Sequence, residues 1–234
     1  MTSTNVNRRA WCPTELTDTL APNGRSVAEN FNAWFRASRV ADANGRPKVV
    51  FHGTASDFGV FDPALSGTKS KTGAPQGSFF FTDSPEVASS YTVKWQGDFS
   101  SELHPDGNVM PVYLRIERPL KVNANGDSWR EIRFRGEDLD INDIVRLAKA
   151  SGRYDGIVVT KVCDKGVGSV STKLSTTYVA FDAAQIKSAI GNSGNFALNV
   201  ACIRDAAAPN STLETAPGQM PRRCDRRHIR QRAP

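Results

Sequence analysis

Apolar positions along this chain come in short runs whose period switches between helix-like and strand-like spacing. Val27, Phe31, Trp34 and Phe35 fall on one helical face, and Ser26 with Glu29 forms a capping box, so the spacing predicts a helix opening at Ser26. The turn-rich run Asp42-Ala43-Asn44-Gly45-Arg46-Pro47 stops it, and Lys48-Val49-Val50-Phe51 re-enters as an apolar strand that ends at His52 and hands Gly53 and Thr54 to a loop. Residues 77–83 read as an aromatic strand in which Phe80 faces away from Phe79 and Phe81. Ser84-Pro85-Glu86 opens a short helix with proline in its favoured first turn, and Tyr91 follows about two turns later. Further strands are predicted at 109–116, 120–122, 157–162 and 178–181, a helix at 141–150, and a closing element at 185–190.

Short strands outnumber interspersed helices, which predicts an α+β fold over a doubly wound one. A flexible N-terminal segment is expected at 1–25, one domain at 26–200, and a flexible arginine-rich tail at 201–234, since composition turns polar and proline-containing after Arg204. The 39% hydrophobic content of 234 residues supports a single sizeable core. No apolar run spans a bilayer and no signal-peptide core opens the chain, so the expectation is a cytoplasmic protein with no membrane association, delivery into another cell by a signal-free route staying open. Cys12, Cys163, Cys202 and Cys224 lack paired spacing, which predicts neither a metal site nor a dense disulfide framework and makes a reducing compartment the default. Residues 221–234 carry +5 of the chain's +6, from Arg222, Arg223, Arg226, Arg227, Arg230 and Arg232 against Asp225. Such a tail reads equally as an arm for nucleic acid or an acidic partner and as a solubilising segment.

Of three histidines, His104 and His228 sit in polar or basic surroundings and His52 alone ends an apolar strand, beside a glycine that permits close backbone approach. His52-Gly53-Thr54, then Phe80 with Tyr91, then the strand around Tyr178 resemble, in order and spacing, the ADP-ribosyltransferase superfamily whose signature is His, Tyr and Glu on three strands. The likeness runs over roughly 26–198 and resembles most the ADP-ribosyltransferase domain of phage and mobile-element polyvalent proteins. It implies a split mixed or antiparallel sheet with flanking helices, and NAD as substrate without a metal. By that resemblance His52 hydrogen-bonds a ribose hydroxyl, the Gly53 backbone pairs with the nicotinamide amide, Thr54 lines the same site, and Phe80 and Tyr91 sandwich the nicotinamide ring.

The resemblance puts the family's glutamate at Thr177, so a hydroxyl stands where a carboxylate is expected. Four outcomes stay open: slow transfer using Thr177, a carboxylate from elsewhere such as Asp164 or Glu86, a contribution from Gln185, or ligand binding without transfer. Lys69, Lys71 and Lys94 are candidates for the phosphates of NAD, and 66–76 and 95–108 for acceptor recognition. The leading expectation is a mono-ADP-ribosyltransferase acting on a macromolecular acceptor, with His52, Tyr91 and Thr177 as the catalytic set. The alternatives are a catalytically silent NAD or ADP-ribose module, and a nucleic-acid-binding accessory protein of a phage or mobile element.

Overall fold

The computed structural model describes residues 19–68, 73–95, 101–103, 106–166 and 173–205. Helix α1 (Val27–Phe35) starts at Ser26 with both halves of the capping box formed. Strands β1 (Val50–Thr54) and β2 (Phe79–Thr82) follow, then helix α2 (Pro85–Ser89), which Ser84 caps and Pro85 opens. A hairpin of β3 (Val93–Trp95) and β4 (Ser101–Leu103) leads to β5 (Asn108–Leu114) and β6 (Pro119–Asn123). A second hairpin, β7 (Ile132–Phe134) with β8 (Glu137–Leu139), precedes α3 (Ile141–Ala150), β9 (Gly156–Val162), β10 (Ser175–Ala180), a 3₁₀ turn at Ala183–Gln185 and β11 (Ile186–Ser188).

Seven strands form one sheet in the order β11-β5-β1-β2-β10-β9-β6, antiparallel throughout except for the β6–β9 pair. This is the α+β architecture expected, with a mixed sheet and helices beside it. Cross-strand partners share a face, and the pairing therefore sorts the sheet into two layers. Val50, Phe79, Phe81, Met110, Val112, Tyr178 and Ala180 bury on one side, together with Phe61 and Ile203 from loops. The helices lie on the other: α3 buries Ile144, Val145 and Ala148 against Val122, Ile157, Val159 and Val179, and Phe31 of α1 meets Tyr113 edge-on at 4.9 Å. Phe79 and Phe81 thus pack in one layer while Phe80 leans, half-buried, on the α3 layer.

Three expectations are corrected. The strand before the histidine does not end there but runs to Thr54, because β5 pairs with every position from Val50 to Thr54. Tyr91 lies in the turn after α2 rather than two turns along a helix, since α2 stops at Ser89 and the Tyr91 N–H closes onto Ala88 O. The last strand is β11, held by β5 at the sheet edge, not the strand around Tyr178.

Packing contacts extend to either side of residues 26–200. Ala21 is buried against α1, and past residue 200 Val60 bridges Cys202, Ile203 enters the core, and Asp205 meets Lys187 in a fully buried ion pair at 2.5 Å. Cys163 carries a free thiol, whereas Cys202 is disulfide-bonded, which the scattered cysteine spacing did not announce. Among the described residues no helix is long and apolar enough to cross a membrane. The arginine-rich segment, Lys69, Lys71 and His104 lie outside the described residues, and Lys94 is placed only as part of β3.

Candidate active site

The sheet comes apart at one point. β1 meets β2 at the pair Phe51↔Thr82, and among the described residues the ladder goes no further. Pro111 of β5 lies opposite Phe51 and has no N–H. The doubly hydrogen-bonded pairs with β5 therefore fall on Val50, His52 and Thr54, and the N–H and C=O of Gly53 point toward β2. A continued ladder would set Gly53 against Phe80. Instead the Phe80 carbonyl accepts from His52 Nδ1 at 2.8 Å, so the imidazole occupies the place of a rung and the Gly53 edge faces the split.

That bond also sets the state of His52. A carbonyl only accepts, so Nδ1 carries the proton and Nε2 is left as an acceptor. The ring stands among Phe61, Phe81 and Phe58, with centroids 5.0, 5.5 and 6.0 Å away. Burial there lowers its pKa, against the smaller opposing pull of the Phe80 carbonyl, and the imidazole is neutral at pH 7. Thr54 is on the His52 side, where its hydroxyl accepts from the Ser56 N–H at 3.2 Å.

On the helix side, α2 packs directly on Gly53. A Cβ there would lie 1.8 Å from the Ala88 carbonyl oxygen and 3.0 Å from Tyr91 Cβ, so only glycine allows this approach. Tyr91 keeps 43% of its surface exposed while its hydroxyl donates to Asp164 at 2.5 Å. Thr177, buried on β10, donates from Oγ1 to the other oxygen of Asp164 at 3.1 Å. Burial raises the pKa of Asp164, and the bonds from Tyr91, Thr177 and the Lys165 N–H pull it back. Burial and the neighbouring carboxylate raise the pKa of Tyr91, which stays a donor.

Of the residues predicted from sequence, Gly53, Tyr91 and Thr177 therefore lie on one face, and His52 and Thr54 on the other, with the split between β1 and β2 joining the two. Phe80 shares the face of Thr177 but packs on the α3 cluster. The other carboxylate and amide considered are engaged elsewhere. Glu86 pairs with Lys173 at 3.3 Å on the surface. Gln185 is buried, donating to Arg115 O and Asp155 O and accepting from the N–H groups of Phe181 and Asp182, a purely structural clamp. The sequence reading did not single out Arg130, whose charge acts on the Tyr91 hydroxyl; it lies far from Tyr91 in sequence and no local pattern marks it. Among the described residues no group of three His, Cys, Asp or Glu side chains is arranged to hold a metal.

Residues 42–196, more than half of the chain, match the family described as ADP-ribosyltransferase in polyvalent proteins. Neither a curated protein nor a solved structure matches the chain. The matched segment holds β1 through β11, and with them the split at Gly53. The chain belongs to the ADP-ribosyltransferase family of polyvalent proteins.

Proposed function

We propose that this chain is a mono-ADP-ribosyltransferase that consumes NAD, breaking the bond between nicotinamide and ribose and passing ADP-ribose to a nucleophilic group of a macromolecule. The observation that carries the reading is the interrupted ladder at Gly53, whose backbone N–H and C=O point toward β2 beyond the last pair of that ladder. A carboxamide presents the complementary acceptor and donor, and pairs with such an edge as a strand would. His52 Nε2, neutral and unprotonated, accepts from a ribose hydroxyl. Tyr91 offers an exposed aromatic face to the cationic nicotinamide ring. The packing of Phe80 against the α3 cluster leaves Tyr91 as the principal stacking partner. Arg130, whose charge acts on the Tyr91 hydroxyl, supplies positive charge for the phosphates.

The test is nicotinamide release from NAD by the purified full chain, with protein and nucleic-acid acceptors supplied in turn. Release is expected from the wild type and is lost in His52→Ala. NAD that stabilises the protein against heat yet is never cleaved with any acceptor selects a binding module instead.

A further inference from the structure

We propose that Asp164 is the carboxylate of the transfer reaction, brought by a bulge in β9 to the place where Thr177 leaves a gap on β10. The inference rests on the transferase reading above. Thr177 pairs with Val159 but Ser175 with Val162, so three steps along β9 are matched by two along β10. The additional residue falls beside Lys161, whose φ of 54° marks the bulge. Val159 and Val162 consequently bury in the same α3 cluster, although an odd spacing sends residues of a regular strand to opposite faces. Asp164, two residues beyond Val162, emerges on the face of Thr177 for the same reason.

The next residues hold it there. The Gly166 N–H donates to Ser90 Oγ at 2.7 Å, and a Cβ on Gly166 would lie 2.3 Å from the Ser90 carbonyl oxygen, so the loop is seated closely on the end of α2. Thr177 Oγ1 and the Tyr91 hydroxyl each bond one oxygen of Asp164, and the Lys165 N–H bonds the carboxylate as well. A carboxylate offers about four lone-pair sites, so it retains capacity to accept from a ribose hydroxyl. Thr177 and Tyr91 are positioning residues in this arrangement: the hydroxyl at 177 holds the charge in place.

In the reaction the bond from ribose C1 to the nicotinamide nitrogen breaks, and its electron pair leaves with the nitrogen, neutralising the pyridinium. The positive charge that develops at C1 is opposed by Asp164. The acceptor's nucleophilic atom gives an electron pair to C1 to form the new bond, and its proton passes to Asp164 and then to water.

The experiment compares the wild-type chain with Asp164→Asn, measuring NAD binding by calorimetry and nicotinamide release. Asp164→Asn should still bind NAD while kcat falls about a hundred- to thousand-fold, a loss far larger than any change in affinity. Adding Thr177→Glu to Asp164→Asn should recover part of that loss, because the charge returns from the neighbouring strand. Should Asp164→Asn fail to fold, Thr177 decides: Thr177→Ala lowers kcat with KM for NAD unchanged, and Thr177→Ser keeps the wild-type rate. An active wild type with Asp164→Asn equally fast, or with Thr177→Ala unimpaired, overturns the role of Asp164 alone. A wild type that releases no nicotinamide overturns the transferase reading and this assignment together.

Discussion

The Phe80 carbonyl does two things to His52: it takes the place of a backbone partner for β1, and it fixes the imidazole proton on Nδ1. The acceptor state of Nε2 then holds only while the ring is neutral. Burial holds the folded-state pKa below the ordinary 6.5, so in the acid range the unfolded chain takes up this proton before the folded one does. The stability His52 contributes by this route is complete above pH 6.5 and is lost as pH falls toward the lower folded value. The melting temperature of the wild type should therefore fall below pH 6.5, and His52→Gln should flatten that part of the profile. Coincident slopes for the two proteins would show that His52 does not titrate as its surroundings require. His52 and Gly53 stood out as candidates because a lone histidine after an apolar run and a glycine beside it are local signals, and Tyr91 stood out only through the family resemblance. The side each one faces was not legible, because the split depends on Pro111, distant in sequence from all of them.

Elements begin and end where local or distant forces dominate. The Ser26 capping box and the Ser84-Pro85 start were readable because the bonds they make reach only three residues along the chain. β1 ran past its expected end because β5, more than fifty residues away, supplies its partners through Thr54. The two hairpins went unread, since strands of three residues carry too little period to register. α2 shows how tightly two elements depend on one residue. Gly53→Ala forces a Cβ into the Ala88 carbonyl, 1.8 Å away, and the helix must move. Overpacking of this kind costs about 1–3 kcal/mol. The expected outcome is a lower denaturant midpoint together with loss of nicotinamide release, because Tyr91 and its bond to Asp164 shift with α2. A variant as stable as wild type would mean that β1 and α2 are not in this contact.

Across the whole molecule, the segment after β11 is tied back into the core by charge. Lys187, fully buried, donates to Val200 O and Cys202 O and pairs with Asp205, whose other oxygen accepts from Asn192 and the Ala197 N–H. Removing one member leaves a buried charge without its counterion, which costs about 3–5 kcal/mol. Lys187→Met should therefore lower stability by that order in urea unfolding, and Lys187→Met with Asp205→Leu should recover much of it. A single substitution without effect would place the ion pair in water. The pair was invisible beforehand because Ala201-Cys202-Ile203 is too short an apolar run to show a period and leads straight into a polar, proline-containing stretch, and only the bonds of Ile203 to β11 and to the loop at Gly59 give the segment a place in the core.

What the chain's own pattern determined was the set of elements and the order in which candidate residues arrive: helix periodicity, strand alternation and caps act within a few residues, and the match to the transferase family follows that order. Tertiary structure decided the site. Whether a carboxylate reaches the position of Thr177 turns on one additional residue in β9, which reverses the face of everything after it, and that depends on the register of two strands rather than on any residue's identity.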